Sequence, residues 1–445
     1  MLEWWDFGLV MRLRTALLIS TLAWPCAGAG KTSLTPEQRR LNIESFEYVW
    51  TTVRDKHWDP QLGGLNWQAV HDELRPAVES AATMEEARAV MSGMLARLNQ
   101  THFGIVPSDV FGAMKGTGKD DLSGENGEGG PGMDVRVIDG RALVTGVAPE
   151  SPAAAAGVKP GWEIVKVDGK PIAEKLRLIE RKESDSTLLG FTLMESVAAR
   201  LAGDVGTPVK VEFRDGANRR VELSLDRARP RGMEAHLGNL PPLHFWVEER
   251  KVRPDIGYLR FNMFFEPDAL MAAVTRIMKD CAGCRGFVVD LRGNPGGIGG
   301  LATGLAGWFI DRAGTQLGTM YLRTGQVRFA VFARPEPFHG ALAILVDSCS
   351  ASTSEIFAGG LQDLKRARVF GTRTAGAALP SMFERLPNGD GFQYAIANYI
   401  SQGGKKLEGS GVMPDEEVKL TRRALLDGND PVLERALAWI ETGSN

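Results

Sequence analysis

The chain has 445 residues, 43% hydrophobic and 24% charged, the balance of a soluble globular protein with two or three domains. A net charge of -3 leaves no basic footprint, so nucleic acid is not an expected partner. No internal repeat is visible, and the length is ample for a sizeable core.

Met11-Arg12-Leu13-Arg14 is followed by an apolar run from Ala16 to Trp24 and by small residues up to Ala29. That pattern reads residues 1–29 as a signal peptide, its apolar run too short to span a bilayer comfortably, and predicts an exported protein, periplasmic or extracellular. Of four cysteines, Cys26 lies in this segment. Cys281-Ala282-Gly283-Cys284 sits in a loop without a thioredoxin pattern, and no second Cys pair or His-rich cluster completes a zinc site. An oxidised local loop or inert thiols is the expectation, and no metal or cofactor is called for.

Residues 33–112 read as a helical domain. Thr35-Pro36-Glu37 starts a helix with apolar positions at Leu41, Phe46, Val49 and Val53, and Trp58-Asp59-Pro60 breaks it. A second helix runs from Trp67 to Val78 with Pro76 inside, and a third from Met84 to Leu98. After it comes Asn99-Gln100-Thr101-His102-Phe103-Gly104. The chain holds six histidines, so a histidine base has few candidates. His57, His71, His236, His244 and His339 lack comparable neighbours.

Gly112 to Gly130 is rich in Gly, Asp, Glu, Lys and Ser, a linker or surface loop. Residues 128–228 then alternate as strands around Met133–Val137, Ala142–Thr145, Glu163–Val167, Val209–Phe213 and Val221–Leu225, with a long partly helical insertion over 172–207. From about residue 240 the pattern is α/β. Ile256–Phe261 and Gly286–Leu291 are strands, Asp268–Asp280 and Leu301–Ile310 helices, and the strand Ala341–Val346 hands over to a helix through Asp347-Ser348-Cys349-Ser350-Ala351-Ser352-Thr353-Ser354-Glu355.

A serine between strand and helix has free N–H groups of the first helical turn beside it, the setting an acylated nucleophile needs for its oxyanion. Ser352-x-x-Glu355 is equally a helix-capping pattern. Ser350 and Ser354 are rival nucleophiles. Asp290 and Arg292 read as structural, and Asp415 as the start of the last helical region.

Two resemblances become specific here. Ser151-Pro152-Ala153-Ala154, Ala156-Gly157-Val158, Pro160-Gly161 and Val167-Asp168-Gly169-Lys170-Pro171 look like a PDZ domain. That implies β-augmentation by an extended C-terminal peptide, its carboxylate held at the turn containing Gly132, Met133 and Asp134. Asp290-Leu291-Arg292-Gly293-Asn294-Pro295-Gly296-Gly297, Ser352-Thr353-Ser354-Glu355, Gly371-Thr372-Arg373-Thr374 and Gly409-Ser410-Gly411-Val412-Met413-Pro414-Asp415 together resemble the tail-specific, or carboxy-terminal processing, serine peptidases. The resemblance covers about residues 35 to 425.

It implies a multidomain α+β fold: a helical N-terminal domain contributing His102, a PDZ-like β domain, and a crotonase/Clp-protease-like α/β protease core over 240–430. The best-known members use a Ser–Lys dyad, but the corresponding turn here reads Thr374-Ala375-Gly376-Ala377-Ala378, and no lysine occurs between Lys365 and Lys405. The chain looks closer to the tricorn-like branch, which implies Ser352 as nucleophile, His102 as base, and Thr101 and Glu408 as orienting groups. Thr353 and Gly296 or Gly297 would then supply the oxyanion hole. The expected substrates are unfolded or tail-bearing polypeptides, with no stable membrane insertion. The alternative is a catalytically inactive PDZ-containing peptide-binding protein.

Overall fold

The computed structural model describes residues 33–108, 128–235 and 243–443. The signal-peptide pattern over 1–29, the linker from 112 to 127 and His236 lie outside the described residues.

Three helices come first: α1 Pro36–Lys56, α2 Trp67–Ser80 and α3 Met84–Ala96. Thr35 and Gln38 form a capping box with Pro36 in the first turn, satisfying backbone donors that a helix start leaves open. Phe46, Val49, Met91 and Met94 are fully buried between the helices. The strand β1, Gly104–Val106, follows directly.

An antiparallel sheet is then built from β2 Met133–Ile138, β3 Arg141–Val147, β4 Glu163–Val167, β5 Pro208–Arg214 and β6 Arg220–Asp226, paired in that order. The expected insertion between β4 and β5 carries two helices, α4 Ala173–Lys182 and α5 Leu189–Leu201. Leu176, Ile179, Val197 and Leu201 bury themselves against Val144, Ile164 and Val209 of this sheet. Gly130, expected in the linker, is instead paired with Ala228.

The rest is the α/β core. Its strands are β7 Val247–Arg253, β8 Ile256–Phe261, β9 Gly286–Asp290, β10 Gln316–Leu322, β11 Gly325–Ala330, β12 Ala341–Val346, β13 Arg368–Gly371, β14 Ser381–Arg385, β15 Gly391–Ala395, β16 Ala397–Ser401 and β17 Glu416–Glu417. Its main helices are α6 Pro267–Asp280, α7 Gly299–Ala306, α8 Thr353–Asp363 and α9 Pro431–Glu441. A six-stranded sheet runs β7-β8-β9-β12-β13-β17, parallel from β8 onward. Strands β9 and β12 are apolar throughout apart from Asp290 because helices cover both faces. The helix expected from Leu301 to Ile310 starts at Gly299 and stops before Gly307, whose backbone lies against the Phe332 carbonyl. Asp415 does not open a helix; its carboxylate accepts the Val369 N–H at 2.8 Å and ties down β13.

Two seams join these parts. Strand β1 pairs antiparallel with β15, Gly104 facing Gln393 and Ile105 facing Phe392. Phe392 and Tyr394 of β15 complete the core of the three helices, and Arg88 of α3 bonds the fully buried Asp390 at 2.9 Å. The β2–β6 unit docks through Arg136, whose guanidinium donates to Asp347 at 2.8 Å. Asp347 in turn accepts from the Gly293 and Cys349 N–H groups.

Because Phe392 holds the helices and β1 to the core, Phe392→Ala is expected to lower the unfolding free energy by about 3–5 kcal/mol. Phe332→Ala, at an exposed position, is expected to change it by less than about 0.5 kcal/mol. Urea titrations followed by tryptophan fluorescence measure both.

Candidate active site

In parallel sheets, ligand sites form beyond the carboxyl ends of the strands. Three loops leave that edge here: 291–298 after β9, 347–352 after β12 and 372–380 after β13. The Thr101–His102 segment and Glu408 join them.

Ser352 ends the second loop and caps α8, with φ 53° and ψ −117°, a sparsely populated conformation for a non-glycine residue. Its N–H faces the Ala377 carbonyl at 2.8 Å and Glu355 Oε2 at 3.0 Å. The rival serines are committed elsewhere. Ser350 Oγ donates to Leu291 O at 2.8 Å, Ser354 Oγ donates to Asn294 O at 2.9 Å, and both residues are fully buried.

Glu355 does more than complete a capping pattern. Its carboxylate, fully buried, accepts from Ser352 N, Thr374 Oγ1, Gly376 N and Ala377 N at 2.5 to 3.0 Å. Burial pushes its pKa up to about 7, and the four donors oppose that rise. The turn that lacks a lysine is thus packed around a carboxylate.

The next residue of the turn leads to the second carboxylate. Ala378 N–H donates to Glu408 at 3.1 Å, and Thr101 donates to it twice, from N–H at 2.7 Å and Oγ1 at 2.9 Å. Glu408 is 8% exposed, so it is not a solvated loop carboxylate; burial raises its pKa and the three donors lower it. Thr101 Oγ1 lies 2.7 Å from His102 Nδ1. An ionised carboxylate only accepts, so the threonine proton points to Glu408 and Nδ1 must donate to Thr101 Oγ1. The Nε2 lone pair is then free.

His102 has φ 61° and is 5% exposed. Burial alone lowers its pKa to about 4, which keeps the ring neutral near pH 7. Among the described residues no hydrogen bond joins it to the Ser352 hydroxyl; the link between them runs through Ala377 and Ala378.

The first loop, 291–298, lies against Ser352. A Cβ on Gly296 would stand 2.7 Å from Ser352 Cβ and 2.8 Å from Thr353 N, and with φ 101° the position suits only glycine. Gly296 N–H already donates to Asn294 Oδ1 at 2.9 Å, which takes it out of the expected pair of oxyanion donors. Gly297 N–H and Thr353 N–H have no acceptor among the described residues. Thr353 Oγ1 donates to Gly297 O at 2.7 Å and holds the two segments together.

Asp290 and Arg292 are structural, as expected. Fully buried Asp290 bonds Arg292 and Tyr258, and Arg292 reaches Asp430 of the last helix. Gly132, Met133 and Asp134 lie at the start of β2, and none of them is bonded to Ser352, His102 or Glu408 among the described residues; Asp134 pairs with Arg260 at 3.6 Å. Leu188, just before α5, packs on Ala351, Ala375 and Ala377 beside the nucleophile turn, a contact no sequence signal marked.

Comparison with known proteins decides the class. A family model described as Peptidase family S41 matches residues 255–418, and one described as Tricorn protease C1 domain matches residues 42–96. The chain is a serine-type peptidase whose residues 255–418 match family S41. Among similar proteins is a probable CtpA-like serine protease of Staphylococcus haemolyticus, 25% identical over 93% of this chain and 72% of that one. A carboxyl-terminal-processing protease of Synechocystis is 26% identical over 86% of this chain and 81% of that one. The solved photosystem II D1 C-terminal processing protease superposes with a TM-score of 0.56 at 23% identity, covering 90% of this serine peptidase and all of that chain. Mature CPAF complexed with lactacystin gives 0.60 at 14% identity over 91% and 98% of the two chains. These structures share the mixed α/β protease fold.

The His102 environment sets a pH dependence. A histidine in the unfolded chain takes up its proton near pH 6.5, whereas His102 in the fold resists it down to about 4. Between those values the unfolded state binds more protons, so this contribution is complete above pH 6.5 and is lost as pH falls toward 4. Melting temperatures of wild type and His102→Asn across that window should show a shallower fall in the variant.

Proposed function

We propose that this S41 peptidase is an exported endopeptidase that cleaves unfolded or C-terminal-tail-bearing polypeptides, with Ser352 as nucleophile and His102 as its base. The observation that carries the reading is the hydrogen-bonded series Glu408, Thr101, His102, tied through Ala378 and Ala377 to the Ser352 backbone.

In this mechanism Ser352 Oγ attacks the scissile carbonyl carbon while its proton passes to His102 Nε2. The new imidazolium keeps Nδ1–H on Thr101, whose hydroxyl relays the stabilising charge of Glu408. The carbonyl oxygen, now anionic, accepts from Gly297 N–H and Thr353 N–H, which have no other acceptor among the described residues. Collapse of the adduct expels the amine, and His102 returns the proton to it. Water then takes the place of Ser352 Oγ as nucleophile on the acyl-enzyme by the same proton route. The serine–histidine bond tightens with substrate, as catalytic contacts commonly do.

The β2–β6 unit is proposed to be PDZ-like and to hold a substrate carboxylate at Gly132–Asp134, with β2 as the strand that a peptide extends. Export is proposed from the basic, apolar and small-residue run of residues 1–29. The Cys281–Cys284 disulfide suits an oxidising compartment. The inactive peptide-binding alternative is not favoured, since the family is that of peptidases and a buried base stands in place of the missing lysine.

Casein hydrolysis tests this directly. Ser352→Ala and His102→Ala are each expected to abolish turnover with the fold intact, and Thr101→Val to lower it by roughly 100-fold or more. Full activity of His102→Ala would overturn the assignment of the base.

A further inference from the structure

His57 has no place in the chemistry above, yet it is fully buried. It follows the last turn of α1, its N–H donating to Val53 O at 3.0 Å. Its ring spans the gap to the segment that carries His102. Nε2 lies 3.0 Å from Gln100 Oε1, with the ring proton as donor. Nδ1 sits against the Asp59 backbone, 3.0 Å from its nitrogen and 2.9 Å from its oxygen. One ring face stacks on Phe103, centroids 5.8 Å apart at 17°.

Gln100 and Phe103 are the residues on either side of Thr101-His102. That stretch needs outside support, because Asn99 and His102 both adopt positive φ, 49° and 61°, which the chain does not hold unaided. His57 is itself anchored from the core. Arg323, in the turn between β10 and β11, donates to Arg54 O at 3.0 Å and to His57 O at 3.2 Å.

We infer that His57 is a positioning residue for the base: it grips Gln100 by a hydrogen bond and Phe103 by stacking, so that Thr101 and His102 keep the orientation that frees Nε2 toward Ser352. The inference rests on the reading of His102 as base. Burial lowers the pKa of His57, so it stays neutral and keeps one ring nitrogen for donation and one for acceptance.

The test compares wild type, His57→Phe, Gln100→Leu, the double variant and His102→Ala on a fluorogenic unfolded peptide, with melting curves to verify folding. His57→Phe keeps a ring to stack and deletes the hydrogen bond; Gln100→Leu deletes the same bond from the other end. Each is expected to lower kcat about 10- to 100-fold with KM within about twofold. The double variant should lose no more than the worse single, since one bond is removed in all three. The acid limb of kcat/KM should also move up from near 4 toward the ordinary histidine value, as His102 loosens toward solvent. A purely structural role would lower stability without moving that limb. Should His57→Phe fail to fold, Gln100→Leu alone carries the test. Wild-type kcat and an unmoved acid limb in either folded variant, with His102→Ala inactive, would overturn this inference and leave the base standing. An active His102→Ala would overturn both.

Discussion

A buried carboxylate is tolerated only when its oxygens are met by donors. Two such groups, Glu355 and Glu408, share the turn Thr374–Ala378 between them. Glu355 takes Thr374, Gly376 and Ala377 from one side, Glu408 takes Ala378 from the other, and Ser352 and Thr101 complete their coordination. Everything in the site follows from that sharing. The strained serine backbone, the lysine-free turn and the threonine–histidine segment are each bonded to one or both of these carboxylates, so none shifts without unpairing a buried carboxylate.

The seam between β1 and β15 makes this possible across the sequence. His102 and Ser352 lie on separate folding units. Antiparallel pairing of Gly104–Val106 with Gly391–Gln393, backed by Phe392 in the helical core, carries the histidine to the edge of the central sheet. The sheet brings the other three loops to the same edge because its strands run parallel there. Register matters accordingly: a slip of one residue in β1 would turn its buried side chains outward.

Much of this was legible in the sequence, for identifiable reasons. The apolar runs Gly286–Leu291 and Ala341–Val346 are too short for helices and mark buried parallel strands, and Ser352-x-x-Glu355 marks the helix start. The set Thr101, His102 and Glu408 could be named through the resemblance to the tricorn-like branch, once the turn Thr374–Ala378 was seen to hold no lysine. What was not legible depends on tertiary contact. The donation of Gly296 N–H to Asn294, which separates the two glycines, is a local turn geometry set by packing against Ser352. The hub role of Glu355 arises from a turn some twenty residues downstream. His57 looked isolated because its partners, Gln100, Phe103 and Arg323, are distant in the chain.

The most direct measurement of the central claim is labelling by a fluorophosphonate, which reacts only with a serine activated by a base. Intact-mass and peptide mapping should place one adduct on Ser352 in the wild-type protein, with labelling lost in His102→Ala and strongly slowed in Thr101→Val. An adduct on another residue, or undiminished labelling of Ser352 in His102→Ala, would contradict the account.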